Sequence, residues 1–309
     1  MRYPSYFIFT LTLSFFLTHA FASAKDIYGD QAHLVLNEWF DVDPTFDIQM
    51  QQSQLDDDHL GVTYNLQFNS DDQQPVNGTL AFPEGYNPGS KQPFKLALLL
   101  HAMGTDQNLW FDNERAIKAG LISDHLRQSG YAVLALDARL HGLRKVDNMG
   151  PREILTKAHS PNRRIYNDMI VGSVRDYRLA LQWIKSTHPV LASHTAAFGY
   201  SMGAQMSLLL AAYEPSIKYV VSMVPPYVGV AVSPVAPRHH VSNIKTAQVL
   251  MLAATQDQYT TEAEYQQVFD LITSTNKKVQ FFKSGHRLPD SFHDVVLTFI
   301  DENMNGVSK

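Results

Sequence analysis

Short, unbroken apolar runs separated by stretches of helical spacing are the feature that most limits how this chain can fold. Leu96-Ala97-Leu98-Leu99-Leu100 and the segment Tyr131 to Leu136 show no polar alternation. A strand with one face in water alternates polar and apolar residues, so runs like these need cover on both faces. Helical spacing recurs between them. The pattern predicts helices over Asn113 to Gln128, Tyr166 to Ser186, Met202 to Tyr213, Thr261 to Ile272 and Ser291 to Asn303. It predicts further strands over Thr195 to Phe198, Tyr219 to Val224, Val249 to Ala253 and Val279 to Phe282. Alternating strand and helix with doubly covered strands gives an α/β fold, a mostly parallel sheet with helices on both faces. Earlier in the chain the period changes. Val62 to Phe68 alternates, Ser70-Asp71-Asp72 turns, and Gly78 to Phe82 returns, which predicts antiparallel strands on the N-terminal side. Lys25 to Ser53 carries no assignable pattern. Without an internal repeat or a low-complexity linker, residues 25–309 read as one domain.

The first residues read differently. Arg2 is the only charged residue before Lys25, Phe7 to Phe16 is apolar apart from Thr and Ser, and Ala22-Ser23-Ala24 supplies small residues at the spacing of a cleavage site. Residues 1–24 therefore read as a secretory signal peptide, with Ala20-Phe21-Ala22 as a second cleavage choice. An uncleaved anchor is the alternative, but the apolar run falls short of the roughly 20 residues that a span needs. The expectation is export to a periplasm or the medium, with no stable membrane insertion after cleavage. Cysteine is absent, which removes disulfides, a Cys nucleophile, thiolate metal sites and lipid attachment together. A net charge of −5 offers no basic face, so a nucleic-acid partner is not expected.

One motif carries chemistry. Gly199-Tyr200-Ser201-Met202-Gly203 is G-x-S-x-G, placed between an apolar strand and an apolar helix. Alone the pentapeptide is weak evidence. In a strand–turn–helix setting it is the turn that lifts a serine hydroxyl above a sheet edge, and small residues are needed on both sides of it. Such a serine needs a base, and the base needs an orienting acid. No Asp or Glu lies between Glu214 and Asp257, and Asp257 follows a strand at the sheet edge where α/β folds place functional groups. His286, in Ser284-Gly285-His286, follows the last strand. Ser201, Asp257 and His286 are the expected nucleophile, acid and base. His293 reads as packing or surface, Glu262 and Glu264 as helix surface, and His239-His240 as loop residues without a metal. No cofactor and no metal are expected.

The order Ser201, Asp257, His286 on alternating strands resembles the α/β-hydrolase superfamily, over roughly Val62 to the C-terminus. Leu98-Leu99-Leu100-His101-Ala102-Met103-Gly104 resembles that family's strand and His-Gly oxyanion loop, with Ala102 in place of the usual Gly. Leu136-Asp137-Ala138-Arg139-Leu140-His141-Gly142 resembles a recurrent strand end in which Asp137 and Arg139 are structural. Asp176 to Trp183 is similar to the helix before the nucleophile in dienelactone-hydrolase-like and prolyl-oligopeptidase-like members. Dienelactone hydrolases proper use Cys where this chain has Ser201. The resemblance implies a serine hydrolase of small-molecule carboxylic esters, with the backbone N–H groups of Met103 and Met202 as the oxyanion hole and a small cap or none. A peptidase or amidase of the same fold, or an inactive binding module, stays open. Two connections border the expected pocket, Leu143 to Tyr166, with a surface or anion-binding pair at Arg163-Arg164, and the proline-rich Pro225 to Asn243. The apolar residues of the latter either cover an acyl site or pack beneath the sheet edge. Asp56-Asp57-Asp58 reads as a solvated turn.

Overall fold

The unbroken apolar runs form the middle of the sheet in the computed structural model, which describes residues 32–55, 60–87, 89, 91–158, 160, 163–228 and 234–305. The expected signal peptide, the Asp56–Asp58 turn and residues 229–233 of the proline-rich connection lie outside the described residues. Among the described residues nine strands form one sheet: β1 (Gln51–Gln54), β2 (Thr63–Asn69), β3 (Pro75–Ala81), β4 (Phe94–Leu100), β5 (Tyr131–Leu136), β6 (Val190–Tyr200), β7 (Tyr219–Met223), β8 (Gln248–Ala254) and β9 (Lys277–Phe282). Their order is β1-β2-β3-β5-β4-β6-β7-β8-β9. The pairs β1–β2, β2–β3 and β3–β5 are antiparallel and all others are parallel. This is the α/β-hydrolase architecture, with the antiparallel strands on the N-terminal side. Every residue of β5 is buried, as its lack of alternation required.

The helices are α1 (Ala32–Phe40), α2 (Gly120–Gln128), α3 (Pro151–Ala158), α4 (Arg164–Thr187), α5 (Met202–Tyr213), α6 (Glu262–Leu271) and α7 (Phe292–Phe299). Helix α2 packs against α7, and α4 against α5 and α1. Two departures from the sequence expectation have local causes. The helix predicted from Asn113 starts only at Gly120, because Asp112 Oδ1 accepts the N–H groups of Glu114 and Arg115 and holds this stretch in a side-chain-capped turn. The connection Leu143 to Tyr166 contains α3, begun by Pro151 and buried through Ile154 and Ala158 one turn apart.

Helix α4 positions the sheet edge that carries the site. The Tyr177 hydroxyl donates to Leu99 O at 2.6 Å and accepts the Leu136 N–H at 2.9 Å, joining the C-terminal ends of β4 and β5 from within the core. One residue earlier, the fully buried Asp176 accepts from Arg144 at 2.8 Å, from Arg139 at 3.2 Å and from Ser70 at 2.5 Å. The β2–β3 turn, the loop after β5 and α4 are thus fixed to one carboxylate. Asp137 accepts the N–H groups of Gln107 and Leu143, so Asp137 and Arg139 hold structure, as the resemblance implied. Removing Asp176 would leave the buried Arg144 guanidinium without its carboxylate, while Arg139 keeps Asp72. Asp176→Ala is expected to lower unfolding free energy by about 3–5 kcal/mol in a urea titration. A loss within about 0.5 kcal/mol, typical of surface substitutions, would refute this role.

Candidate active site

A serine can stand above a sheet edge only if the chain reverses sharply between strand and helix. Ser201 makes that reversal at φ 55° and ψ −116°, between β6 and α5. Positive φ is costly for a side chain with a Cβ, on the order of 1–3 kcal/mol. The flanking glycines are needed for space. A Cβ on Gly199 would come 2.0 Å from Gly203 O, and one on Gly203 would come 1.9 Å from Leu100 O. Two backbone bonds fix the turn, from Ser201 N to Met223 O at 2.8 Å and from Gln205 N to Ser201 O at 3.0 Å.

The structure brings the three expected side chains together. His286 Nε2 lies 2.7 Å from Ser201 Oγ, and His286 Nδ1 lies 2.8 Å from Asp257 Oδ2. One tautomer satisfies both contacts, with Nδ1–H donating to the carboxylate and Nε2 accepting from the serine hydroxyl. The Asp257 side chain is fully buried and that of His286 is 16% exposed. Asp257 has two further donors, the Tyr265 hydroxyl on Oδ2 at 2.6 Å and the Tyr259 N–H on Oδ1 at 2.8 Å. Burial pushes the Asp257 pKa up. Hydrogen bonds from His286, Tyr265 and Tyr259 outweigh burial and hold the carboxyl below its ordinary range. The base is held from its backbone side. The Tyr200 hydroxyl donates to His286 O at 3.0 Å and accepts the Leu288 N–H at 2.9 Å.

Tyr200 and Tyr265 escaped the sequence reading. Tyr200 occupies the unrestricted position of G-x-S-x-G, and Tyr265 sits among ordinary apolar positions of α6, so neither carries a pattern. The excluded carboxylates do other work. Glu264 closes a capping box with Thr261 at the start of α6. Thr260 bonds the neighbouring connection, accepting the Tyr227 N–H and donating to Pro225 O.

The loop after β4 is set by His101, which is fully buried. Its Nε2 accepts the Ala138 N–H at 2.9 Å, leaving Nδ1–H to donate to Ala102 O at 2.9 Å. Burial, helped by the neighbouring His141, pushes its pKa down to about 3, so the ring stays neutral and keeps both bonds. Thr105 Oγ1 also donates to Ala102 O, which closes the turn around Met103 and Gly104 with Ala102 accommodated. The backbone N–H groups of Met103 and Met202 make no hydrogen bond among the described residues. Pro151 of α3 packs over this turn, close enough for a Cβ on Gly104 to meet its Cγ at 2.7 Å.

Other candidates fall elsewhere. His239 and His240 are in the loop that the sequence assigned them, yet both are buried, and His240 lies between the Tyr213 hydroxyl and Pro234 O. His293 is buried packing, with Nε2 at 3.0 Å from Ile117 O. Arg164 pairs with Asp168 on the surface. Among the described residues, no three His, Asp or Glu side chains are grouped to hold a metal. In the proline-rich connection, Tyr227 and Val235 are buried, so the described part packs inward. Val230, Ala231 and Val232 lie outside the described residues.

A mixed sheet with a serine, histidine and carboxylate at its C-terminal edge defines an α/β-hydrolase. The model of the dienelactone hydrolase family matches residues 110–287, more than half of the chain, and the chain belongs to that family. It is a hydrolase acting on esters. Among solved structures it is similar to acetyl xylan esterase 1 from Thermoanaerobacterium sp., at 16% identity over 88% of this chain and 93% of that one, with a TM-score of 0.65. It is also similar to the acetyl xylan esterase from Paenibacillus sp., at 19% identity over 87% and 91%, with a TM-score of 0.64. A cold-adapted esterase from an Arctic intertidal metagenomic library matches at 14% identity over 83% and 99%, with a TM-score of 0.61. Such identities speak for the fold alone. No curated protein matches the sequence.

The Tyr265 bond can be tested apart from activity. A folded-state pKa held below the ordinary carboxylate value of about 3.9 adds stability above that value, and the gain is lost as pH falls through the folded pKa. Tyr265→Phe is expected to cost about 1.5–3 kcal/mol at neutral pH, the range for hydrogen bonds to charged groups. Its gap to the wild type should narrow as pH falls below about 4 and on through the folded pKa, where Asp257 takes up its proton. Urea titrations across pH read this out. A gap that does not change with pH would mean that the hydroxyl serves packing only.

Proposed function

We propose that the chain is an exported serine esterase in which residues 1–24 direct export and residues 25–309 form one hydrolase domain. The observation that carries this reading is the unbroken hydrogen-bonded series from Ser201 Oγ through His286 to Asp257, at 2.7 and 2.8 Å. In the proposed mechanism Ser201 Oγ attacks the ester carbonyl while His286 Nε2 takes its proton. The tetrahedral oxyanion forms against the N–H groups of Met103 and Met202, whose lack of other partners leaves them free to receive it. The protonated imidazole then gives its proton to the departing alkoxide, leaving an acyl group on Ser201. Water, deprotonated by His286, attacks the acyl carbonyl, and collapse returns the proton to Ser201 Oγ and frees the carboxylic acid. Asp257 stays ionised and stabilises the imidazolium in both halves. Its pKa below the ordinary range suits that part. A cofactor has no step in this sequence. No helix among the described residues is long and apolar enough to cross a membrane.

The test is Ser201→Ala with p-nitrophenyl acetate as substrate and a fluorophosphonate as probe. Turnover should fall by on the order of 10³-fold or more, and the probe should label the wild type and not the variant. More than a tenth of wild-type turnover in Ser201→Ala would remove Ser201 from the nucleophile's place. Faster cleavage of peptide anilides than of esters would move the assignment to a peptidase. An unlabelled, inactive wild type would make the fold a binding scaffold.

A further inference from the structure

One side chain on the rim of the site has no part in the steps above. The Tyr259 ring meets the His286 imidazole edge to face, with centroids 4.7 Å apart and planes at 83°. It is 54% exposed, among the most exposed large apolar residues described. Its stem is fixed, because the Tyr259 N–H is the donor on Asp257 Oδ1. An aromatic ring with an anchored backbone, one side against the base and another open to solvent, offers contact area at little entropic cost.

The order of the sheet says which part of an ester reaches it. Met103 follows β4, Ser201 follows β6, and Asp257 and His286 follow β8 and β9. A carbonyl oxygen turned to the Met103 and Met202 N–H groups therefore points toward the β4 side. The leaving oxygen must come within hydrogen-bond reach of His286 Nε2, on the β8–β9 side. Asp257 closes the Nδ1 edge of the imidazole. The open ring of Tyr259 lies against the imidazole that the leaving oxygen must approach.

We propose that Tyr259 determines specificity for the alcohol half of the ester, taking a flat or cyclic alcohol such as a benzyl or cyclohexyl group against its exposed face. This rests on the assignment of Ser201 and His286 made above. The contact exists only until the alcohol leaves, so it acts on acylation and kcat/KM and leaves hydrolysis of the acyl-enzyme unchanged.

Two substrate series separate the outcomes. One holds the acyl group as acetate and varies the alcohol through ethyl, cyclohexyl and benzyl. The other holds the alcohol as p-nitrophenol and varies the acyl chain from acetyl to octanoyl. Tyr259→Ala is expected to lower kcat/KM for benzyl and cyclohexyl acetate about tenfold more than for ethyl acetate, the scale of a lost apolar contact. The ratios within the acyl series should stay at wild-type values. Tyr259→Phe, which keeps the ring, should retain the wild-type order of alcohols. Equal loss across every alcohol would show that the ring acts only by holding His286, and a change that follows acyl length would place it in the other half of the pocket. Either result, or wild-type behaviour of Tyr259→Ala, overturns the proposal. Ser201→Ala measured beside these variants keeps the two readings apart. Residual turnover there overturns the nucleophile, whereas an inactive Ser201→Ala beside an unaltered Tyr259→Ala overturns the alcohol contact alone.

Discussion

The approach of α5 to the end of β4 is the constraint from which the site follows. Gly203 lies so close to Leu100 O that a single methyl group there would overlap it. That closeness brings the first turn of α5 against the loop that leaves β4, so the N–H of Met202 and that of Met103 belong to adjoining backbone. It also forces the reversal at Ser201, with its unfavourable φ. The strain is held by the burial of α5, in which every residue from Met202 to Ala212 is buried. Another of the non-glycine residues with positive φ, Val224, lies at the end of the adjacent β7 and is fully buried. Positive φ at a β-branched residue is rare. Neighbouring strand ends that both leave the sheet by strained turns fit an edge where geometry for chemistry outranks local backbone preference.

Three buried carboxylates show how partners, and not residue type, decide what an acid does here. Asp176 is enclosed by two guanidinium groups and serves as a structural tie. Asp137 is held mainly by backbone N–H groups, and burial leaves its pKa above the ordinary value. Asp257 receives three donors, one of them an imidazole that can itself take up a proton, and its pKa lies below the ordinary value. A carboxylate that remains charged beside a ring able to gain charge stabilises the charged ring more than the neutral one. Of the three, Asp257 alone has that combination.

What could be read from the sequence was what local pattern dictates. The continuous apolar runs gave the central strands because cover on both faces leaves no room for alternation. Helix α5 was read to its end residues, since the motif fixes its start and Glu214-Pro215 marks its end. Ser201, Asp257 and His286, which the fold brings together, could be singled out because each follows an apolar strand. The misses depend on contacts between distant segments. Helix α1 is short, and its Phe40 is buried by stacking on Tyr213, far along the chain. Helix α3 has only two buried side chains, too few for a periodic signal. Tyr265 meets Asp257 only because α6 turns back along β8, and nothing in the α6 pattern separates this tyrosine from a core residue.

The connection after β7 belongs to the scaffold of the site in its described parts. Thr260, three residues beyond Asp257, accepts the Tyr227 N–H, while Gln205, four residues beyond Ser201, donates to Val235 O. Gln205 also accepts the Tyr166 hydroxyl at 2.6 Å, so α4, α5 and the connection meet at one buried amide. Arg238 lies over the Tyr227 ring and donates to the carbonyls of Tyr227 and Val228. Apolar residues here therefore need not face a substrate to be buried. Tyr227 is packed between the guanidinium of Arg238 and helix α6, where its hydroxyl reaches Gln267. Tyr227, so placed, presents its backbone N–H to Thr260 and ties down the end of the segment that carries Asp257. Tyr259 occupies the same short segment and faces outward. Asp257, its nearest backbone donor and the exposed ring thus lie within three residues, so the loop after β8 sets a buried charge and an open aromatic face beside the same imidazole.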